Sequence, residues 1–408
     1  MSRPAQHGKL WTLLGPAFVA AVAYVDPGNV AANITAGARY GYLLVWVLVL
    51  ANAMAVIVQY QSAKLGIVTG SSLPELLGAR LSKPARLAMW AQAELVAAAT
   101  DLAEVIGGAI ALHLLFNLPL LWGGVIVAAV SIALLIVQDR RRQRLFEGII
   151  IALLVIITLG FVSALFVAPP SPNGVIHGLI PRFAGTDTVL VAASMLGATV
   201  MPHAIYLHSS LVNDRHGQVR TDREKRRLLS ASRWDVLWAL LLAGAVNIAL
   251  LLLAASALAG RSDTDTIDGA HAAITAALGP GIGVIFAIGL LASGLASTSV
   301  GAYAGSEIMK GLLHIRVPVV ARRAITIIPA LAILWWGAEP TWALVVSQVV
   351  LSFGIPLAIV PLAYYTRQRD VMGGYADGRV LRIVSSLIAA LIVSLNLALV
   401  VLTLTGQA

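Results

Sequence analysis

Asp26-Pro27-Gly28-Asn29 interrupts the first hydrophobic run of the chain, residues 10–38, LWTLLGPAFVAAVAYVDPGNVAANITAGA. A carboxylate, a helix breaker, the most permissive residue and a carboxamide stand where a membrane-spanning helix should be smoothly apolar. Pro27 removes a backbone donor, and Gly28 tolerates conformations closed to other residues. Unwound backbone at membrane depth survives only when buried in protein or lining a cavity. An intramembrane Asp costs roughly 2.5–3.5 kcal/mol on insertion scales, which makes it a functional-site candidate by default. The break reads as half of an ion-binding site.

The surrounding chain supports a membrane setting. Of its 408 residues 59% are hydrophobic and only 12% charged, against about 25% charged in soluble domains. The composition is that of an all-α polytopic membrane protein. Its net charge of +9 does not argue for a nucleic-acid partner, because the basic residues sit in short connections between hydrophobic runs, as topology control requires. Cysteine is absent, which excludes disulfides, thiolate metal ligands and a cysteine nucleophile. There is no G-x-x-x-x-G-K-[ST] loop and no soluble insert large enough for a nucleotide-binding domain. Uphill transport would then draw on an ion gradient, unless a separate ATPase subunit exists.

Eleven runs reach the length of about 17 apolar residues needed to cross the hydrocarbon, at 11–38, 43–68, 86–115, 119–137, 145–168, 188–213, 235–260, 271–311, 320–337, 340–366 and 380–404. The eighth is too long for one crossing and includes an amphipathic lead-in around His271. Arg3 and Lys9 ahead of Ala21-Val22-Ala23 resemble a cleavable leader, but the run continues apolar and carries the Asp break, so it is read as a span. With the N-terminus in the cytoplasm, the connections 64–86, 138–144, 214–233, 310–323 and 367–382 and the N-terminus hold 25 of the 28 Lys and Arg, leaving Arg39, Arg182 and Arg261 outside. That asymmetry predicts an inner or plasma membrane protein with its N-terminus cytoplasmic and its C-terminus external.

The third span carries Glu94, Asp101 and Glu104, whose spacing puts them on one helical stripe facing the bundle or water. Two readings are open: a salt-bridge network with Arg322 and Arg323 at the start of the ninth span, or a proton route. The sixth span, VAASMLGATVMPHAIYLHSSL, is interrupted at Met201-Pro202-His203. Breaks in the first and sixth spans are offset by five spans. This suggests two five-helix halves of inverted topology, 11–168 and 188–366, plus an extra eleventh helix, 380–404, in a single transport domain over 1–408. Interrupted helices at matching positions in two halves point to a transporter's midplane site.

AYVDPGNVAANITAGARYGY in the first span and GATVMPHAIYLHSSL in the sixth resemble the two signature segments of the Nramp family, proton-coupled transporters of divalent transition metals whose bacterial members mainly take up manganese. QAEL…DLAE in span three, LLASGLASTSVG in span eight and SQVVLSFGIPLA in span ten also match. The resemblance covers essentially the whole chain. It implies a LeuT-type 5+5 inverted repeat with broken helices 1 and 6, and alternating access. Eleven spans fit the shorter bacterial branch.

The two breaks can offer a hard anionic oxygen (Asp26), a neutral oxygen (Asn29) and a soft thioether (Met201). Unwound backbone around Ala23 and Ala198 can add carbonyls, with half-helix C-terminal dipoles favouring a cation. The resemblance implies that Asp26, Asn29, Met201 and the Ala198 carbonyl bind the metal, joined by Gln348 in some conformations. Calcium and magnesium gain nothing from sulfur, whereas Mn²⁺, Fe²⁺ and softer divalents accept a mixed shell. A core-packing role is the alternative for Met201. For His203 the resemblance implies a part in pH dependence and gating, against a hydrogen-bonded structural histidine; His208 reads as structural.

A cation beside Asp26 favours its ionised form, so metal entry and a proton on Asp26 oppose each other. Asp101, Glu104 and Glu94, with Arg322 or Arg323, would carry the displaced proton. The expected cargo is Mn²⁺ or Fe²⁺ with H⁺. No cofactor, no nucleic acid and no obligate protein partner are inferred; the bilayer is the surrounding medium. Competing readings are a Na⁺- or H⁺-coupled amino-acid or organic-solute transporter of the same fold, which would not need an Asp-plus-Met lining, and a passive metal channel. An intramembrane metalloprotease is remote without H-E-x-x-H.

Overall fold

A computed structural model describes residues 15–139, 143–219, 221–261, 264, 266–315, 317–337 and 340–404. The start of the first predicted span (with Arg3 and Lys9 ahead of it) and Arg140–Arg142 lie outside the described residues. In chain order the helices are α1 (Pro16–Ala21), α2 (Pro27–Tyr40), α3 (Val45–Thr69), α4 (Leu73–Arg80), α5 (Lys83–Phe116), α6 (Leu120–Asp139) and α7 (Gln143–Val167). Then come α8 (Pro172–Gly178), α9 (Thr186–Thr199), α10 (Pro202–His216), α11 (Asp222–Ala257), α12 (Ile267–Leu278) and α13 (Pro280–Leu313). The last five are α14 (Val319–Thr326), α15 (Ile328–Trp336), α16 (Pro340–Arg367), α17 (Arg369–Met372) and α18 (Arg379–Leu404).

Among the described residues nine helical stretches are long and apolar enough to cross a membrane, and two shorter apolar ones, Pro16–Val25 and Leu120–Ile136, fall at the first and fourth predicted spans. The burial pattern is inverted relative to a soluble protein. Asp26, Asn33, Gln59, Asp101, Glu104 and Arg323 are buried, while Leu159, Phe166, Trp336 and Leu387 are more than half exposed. An apolar exterior around a polar interior is what a hydrocarbon solvent selects.

The first and sixth spans are both broken, as the sequence predicts. In the first, α1 runs into a 3-10 turn, Val22–Val25; Asp26 is extended at φ −68°, ψ 165°, and α2 starts at Pro27. In the sixth, α9 stops at Thr199, Val200 and Met201 are non-helical, and α10 starts at Pro202. The cause is the same at both sites. A helical proline cannot donate to the carbonyl four residues back and crowds it, and the residue before proline avoids the α region. Pro27 thereby frees the carbonyl of Ala23, and Pro202 that of Ala198.

Polar side chains from neighbouring helices take up the freed backbone. The Asn247 amide on α11 donates to the Tyr24 carbonyl at 2.7 Å and accepts from Asn33 of α2 at 2.9 Å. The Ser293 hydroxyl on α13 donates to the Val25 carbonyl at 2.5 Å. At the other end, both oxygens of Asp235 on α11 accept backbone N–H groups at the start of α1, from Gly15 and Ala17, each at 3.0 Å. Close approach of α5 also holds the break, since a Cβ at Gly107 would come within 2.2 Å of Pro27 Cβ.

Three details differ from the sequence reading. The eighth span divides at Gly279 into α12 and α13, so its predicted lead-in is a separate helix. The connection 214–233 is largely helical, because α11 begins at Asp222, with Thr221 accepting the Glu224 N–H as its cap. Lys64 is not a loop cation: it is buried near the end of α3, 2.6 Å from Asp377.

Candidate functional site

The two breaks touch through Asn29. Its backbone N–H and its carboxamide both donate to Asp26 Oδ1, at 2.9 and 2.6 Å. The same carboxamide nitrogen donates to the Ala198 carbonyl at 2.9 Å. Asp26 is the N-cap of α2, where the helix dipole and the Asn29 N–H favour a carboxylate. Two orphaned backbone features of the sequence, an extended Asp and a proline-freed carbonyl, are therefore joined by one amide.

What this amide leaves unpaired is a set of buried oxygens. Among the described residues Asp26 Oδ2 and Asn29 Oδ1 have no hydrogen-bond partner, nor do Oε1 and Nε2 of Gln348. Gln348, on α16, lies directly over Gly28: a Cβ there would meet Gln348 Nε2 at 1.7 Å and Asp26 Oδ2 at 3.1 Å. Only glycine lets α16 come this close. Buried acceptors without donors are costly, and in native structures they ask for an explanation such as an ion. Met201 is fully buried as the N-cap of α10, in the same core as Ala23, Tyr24 and Val25. Among the described residues no group of three or more His, Cys, Asp or Glu could hold a metal. The polar side chains gathered at the breaks are of a different kind, one carboxylate (Asp26) and two carboxamides (Asn29 and Gln348).

His203 is buried in the first turn of α10, both ring nitrogens without a hydrogen-bond partner among the described residues. His208 is one turn further, its Nδ1 donating to Gln59 Oε1 of α3 at 2.7 Å, while Gln59 Nε2 donates to the Tyr24 hydroxyl at 2.7 Å. Tyr24 directly follows Ala23 in the unwound turn, so this chain links the two broken helices a second time.

The three acids of the third span face inward on α5. Arg323 Nη1 lies 2.8 Å from Asp101 Oδ1, both fully buried, and Arg322 Nη2 lies 2.6 Å from Glu94. Arg323 also donates to Ser131 at 3.2 Å and to Thr298 at 2.5 Å. Glu104 is buried with no cation at ion-pair distance among the described residues. A Cβ at Gly301 of α13 would contact both Glu104 and Asp101, at 3.2 and 3.5 Å, so the two carboxylates share one gap. The salt-bridge reading of the stripe thus holds for Asp101 and Glu94.

Sequence reasoning missed Asn247, Ser293, Gln59 and Asp235, and also the buried Glu147–Arg215 pair at 2.8 Å. The available signal was a lone polar residue inside an apolar helix, which names no partner.

The family model described as natural resistance-associated macrophage protein-like, Nramp, matches residues 17–402. The chain belongs to the Nramp family. A Mycobacterium tuberculosis H37Rv protein named divalent metal cation transporter MntH is 60% identical over 396 residues, covering 97% of this chain and 92% of its own length. The Bacillus subtilis protein of the same name is 46% identical over 394 residues, covering 96% and 92%. Among solved structures, an Eremococcus coleocola manganese transporter aligns at TM-score 0.87 and 31% identity, over 97% of this chain and 88% of that one. Mhp1, a nucleobase-cation-symport-1 family transporter, aligns at TM-score 0.61 and 15% identity over 95% and 89%, which bears on fold alone. This Nramp chain has the LeuT-type architecture with its first and sixth helices broken, and it is a multi-pass membrane protein.

Proposed function

We propose that this Nramp chain is a secondary transporter that imports divalent transition metal ions, Mn²⁺ and Fe²⁺ first among them, coupled to protons by alternating access. The observation that carries the reading is the contact of Asn29 with both Asp26 and the Ala198 carbonyl, which leaves Asp26 Oδ2 and Asn29 Oδ1 buried and unpaired. The related transporters named above act on divalent metal cations and manganese, in keeping with a site of this chemistry.

In the proposed site, Asp26, Asn29, Met201, the Ala198 carbonyl and, by its position over Gly28, Gln348 are the ligands; Ala23 contributes its proline-freed carbonyl. A cation takes over the acceptors now held by the Asn29 amide, and Asn29 then offers its own oxygen. Sulfur from Met201 contributes to Mn²⁺, Fe²⁺ and softer ions and nothing to Ca²⁺. Asp26 supplies the charge that makes removal of water from a divalent ion tolerable. Its proton is displaced as metal arrives and passes to the carboxylates of α5: Glu104, then Asp101 beside Arg323, then Glu94 beside Arg322. His203, next to Met201, is a second proton-accepting group at the site.

The repeats are 11–168 and 188–366 with 380–404 outside them, in eleven crossings. The N-terminus is cytoplasmic and the C-terminus external in the cell membrane, by the distribution of Lys and Arg.

The test is uptake of radioactive manganese by proteoliposomes. Saturable uptake, suppressed by Cd²⁺ and not by Ca²⁺ and accelerated by an inward proton gradient, is expected. Uptake that fails to saturate, or that Ca²⁺ suppresses as well as Cd²⁺ does, would overturn the proposal.

A further inference from the structure

A cavity of about 990 Å³ opens where α17 turns through Gly373–Tyr375 into α18. Its lining includes Arg369, Arg379, Arg382, Asp377 and Ile383. Basic residues at a membrane boundary are ordinary for topology; topology does not require them to frame a cavity with its counter-charge removed.

The counter-charge is removed in a specific way. Asp377 is the lining carboxylate, and both its oxygens are turned into the protein: Oδ1 to Lys64 at 2.6 Å and Oδ2 to the Gln61 amide at 2.8 Å. Gln61 also donates to Ser385 of α18 at 2.7 Å, which fixes the carboxylate in place. The neighbouring Asp370 is engaged by Arg80 at 3.2 Å, and Asp222 by the Tyr375 hydroxyl at 3.2 Å. Arg382 donates through Nε to the Asp377 carbonyl at 2.7 Å, so its terminal nitrogens are left for other partners. Arg369, Arg379 and Arg382 are exposed and form no ion pair among the described residues.

The floor is open as well. Added Cβ atoms at Gly373, Gly374 and Gly378 would meet nothing within 4 Å. Beside this cationic floor, α18 presents Val380, Ile383 and Leu387 outward, 76%, 53% and 65% exposed. Their spacing makes one apolar stripe running from the cavity along the helix. A ligand that fits both parts carries a phosphate at one end and a hydrocarbon tail at the other.

We propose that this cavity binds the phosphate headgroup of an anionic phospholipid, its acyl chains lying along the Val380–Leu387 face of α18. Guanidinium groups suit phosphate through paired, planar hydrogen bonds. Basic pockets between spanning helices on the cytoplasmic side are a known way to hold such headgroups. The proposal rests on the orientation given above only for the choice of leaflet. Its test is a binding measurement on solubilised protein, so it can fail or succeed independently of metal transport.

Native mass spectrometry of the purified protein, supplied with phosphatidylglycerol and phosphatidylcholine in equal amounts, reads the bound lipid. Preferential retention of phosphatidylglycerol is expected. R369Q/R379Q, which leaves the Arg382–Asp377 contact intact, should weaken that retention by about five-fold per arginine, on the order of 25-fold together. R369K/R379K should keep most of it. K83Q/R86Q, which removes two charges at the start of α5, outside the cavity lining, should leave it unchanged. Equal retention by R369Q/R379Q and the unaltered chain overturns the proposal, as does an equal loss in K83Q/R86Q. Soluble glycerol phosphate displacing the lipid at equal concentration would overturn it too, since the tail would then contribute nothing.

Discussion

Asn29 and Ala198 are 169 positions apart in sequence and 2.9 Å apart in space, amide nitrogen to carbonyl oxygen. The contact exists because Pro202 has no N–H to offer the Ala198 carbonyl. A cation entering the site competes with this hydrogen bond and with the one from Asn29 to Asp26. In the proposed site the two hydrogen bonds therefore occupy the same groups that would bind the ion.

Asp26→Asn should abolish metal uptake without loss of stability. Asp26 Oδ2 is buried and has no hydrogen-bond partner among the described residues, and a neutral amide is less costly there than a carboxylate. The expected outcome is manganese uptake at background with a thermal midpoint equal to or above that of the unaltered chain. A variant that unfolds at lower temperature would show the carboxylate to be structural.

Met201→Ala should alter selectivity more than rate. Losing the thioether is expected to reduce the preference for Mn²⁺ and Cd²⁺ over Ca²⁺ on the order of ten-fold, read from competition in proteoliposomes. An unchanged ratio would make Met201 a packing residue.

Glu104 and Asp101 should separate under neutralisation. Glu104→Gln removes a buried carboxyl without a cationic partner, so the thermal midpoint should move by less than about 4 °C while metal-driven proton entry falls and manganese binding persists. Asp101→Asn strands Arg323 and should cost about 3–5 kcal/mol. Asp101→Asn/Arg323→Gln should recover part of that loss. Proton flux unchanged in Glu104→Gln would take Glu104 out of the route.

Gly28→Ala should clamp the site. The new methyl needs the space of Gln348 Nε2, 1.7 Å away, and crowding of this kind costs about 1–3 kcal/mol. Gly28→Ala/Gln348→Ala should regain stability, measured by thermal unfolding, but not uptake, because a proposed ligand has gone with the clash.

Much of this arrangement was legible in the sequence, for a reason that differs from residue to residue. Pro27 and Pro202 act locally, so each break could be placed to within a residue or two. Asp101 and Glu94 found Arg323 and Arg322 because few cations lie at membrane depth to choose from. Asn247, Ser293 and Gln59 were not legible: each is one polar residue on an apolar helix, and its partner is a carbonyl or side chain that only packing selects. The stretch 222–233 looked like a loop because charge marks the aqueous side of the membrane, and charge does not distinguish a loop from a helix that continues into water. Lys64 was counted among the loop cations for a different reason: its buried partner, Asp377, is 313 positions away.

That lysine gives the segment just ahead of the last helix a use. Asp377 stands just ahead of α18 and holds the ammonium of Lys64 inside α3, so a chain truncated before Asp377 would strand a buried cation in its second span. The approach to the last helix is thus no removable appendage: Asp377 neutralises a charge in the amino-terminal half, and shortening the gene from its 3′ end past that codon should cost the protein its integrity before it costs a single ligand of the proposed metal site.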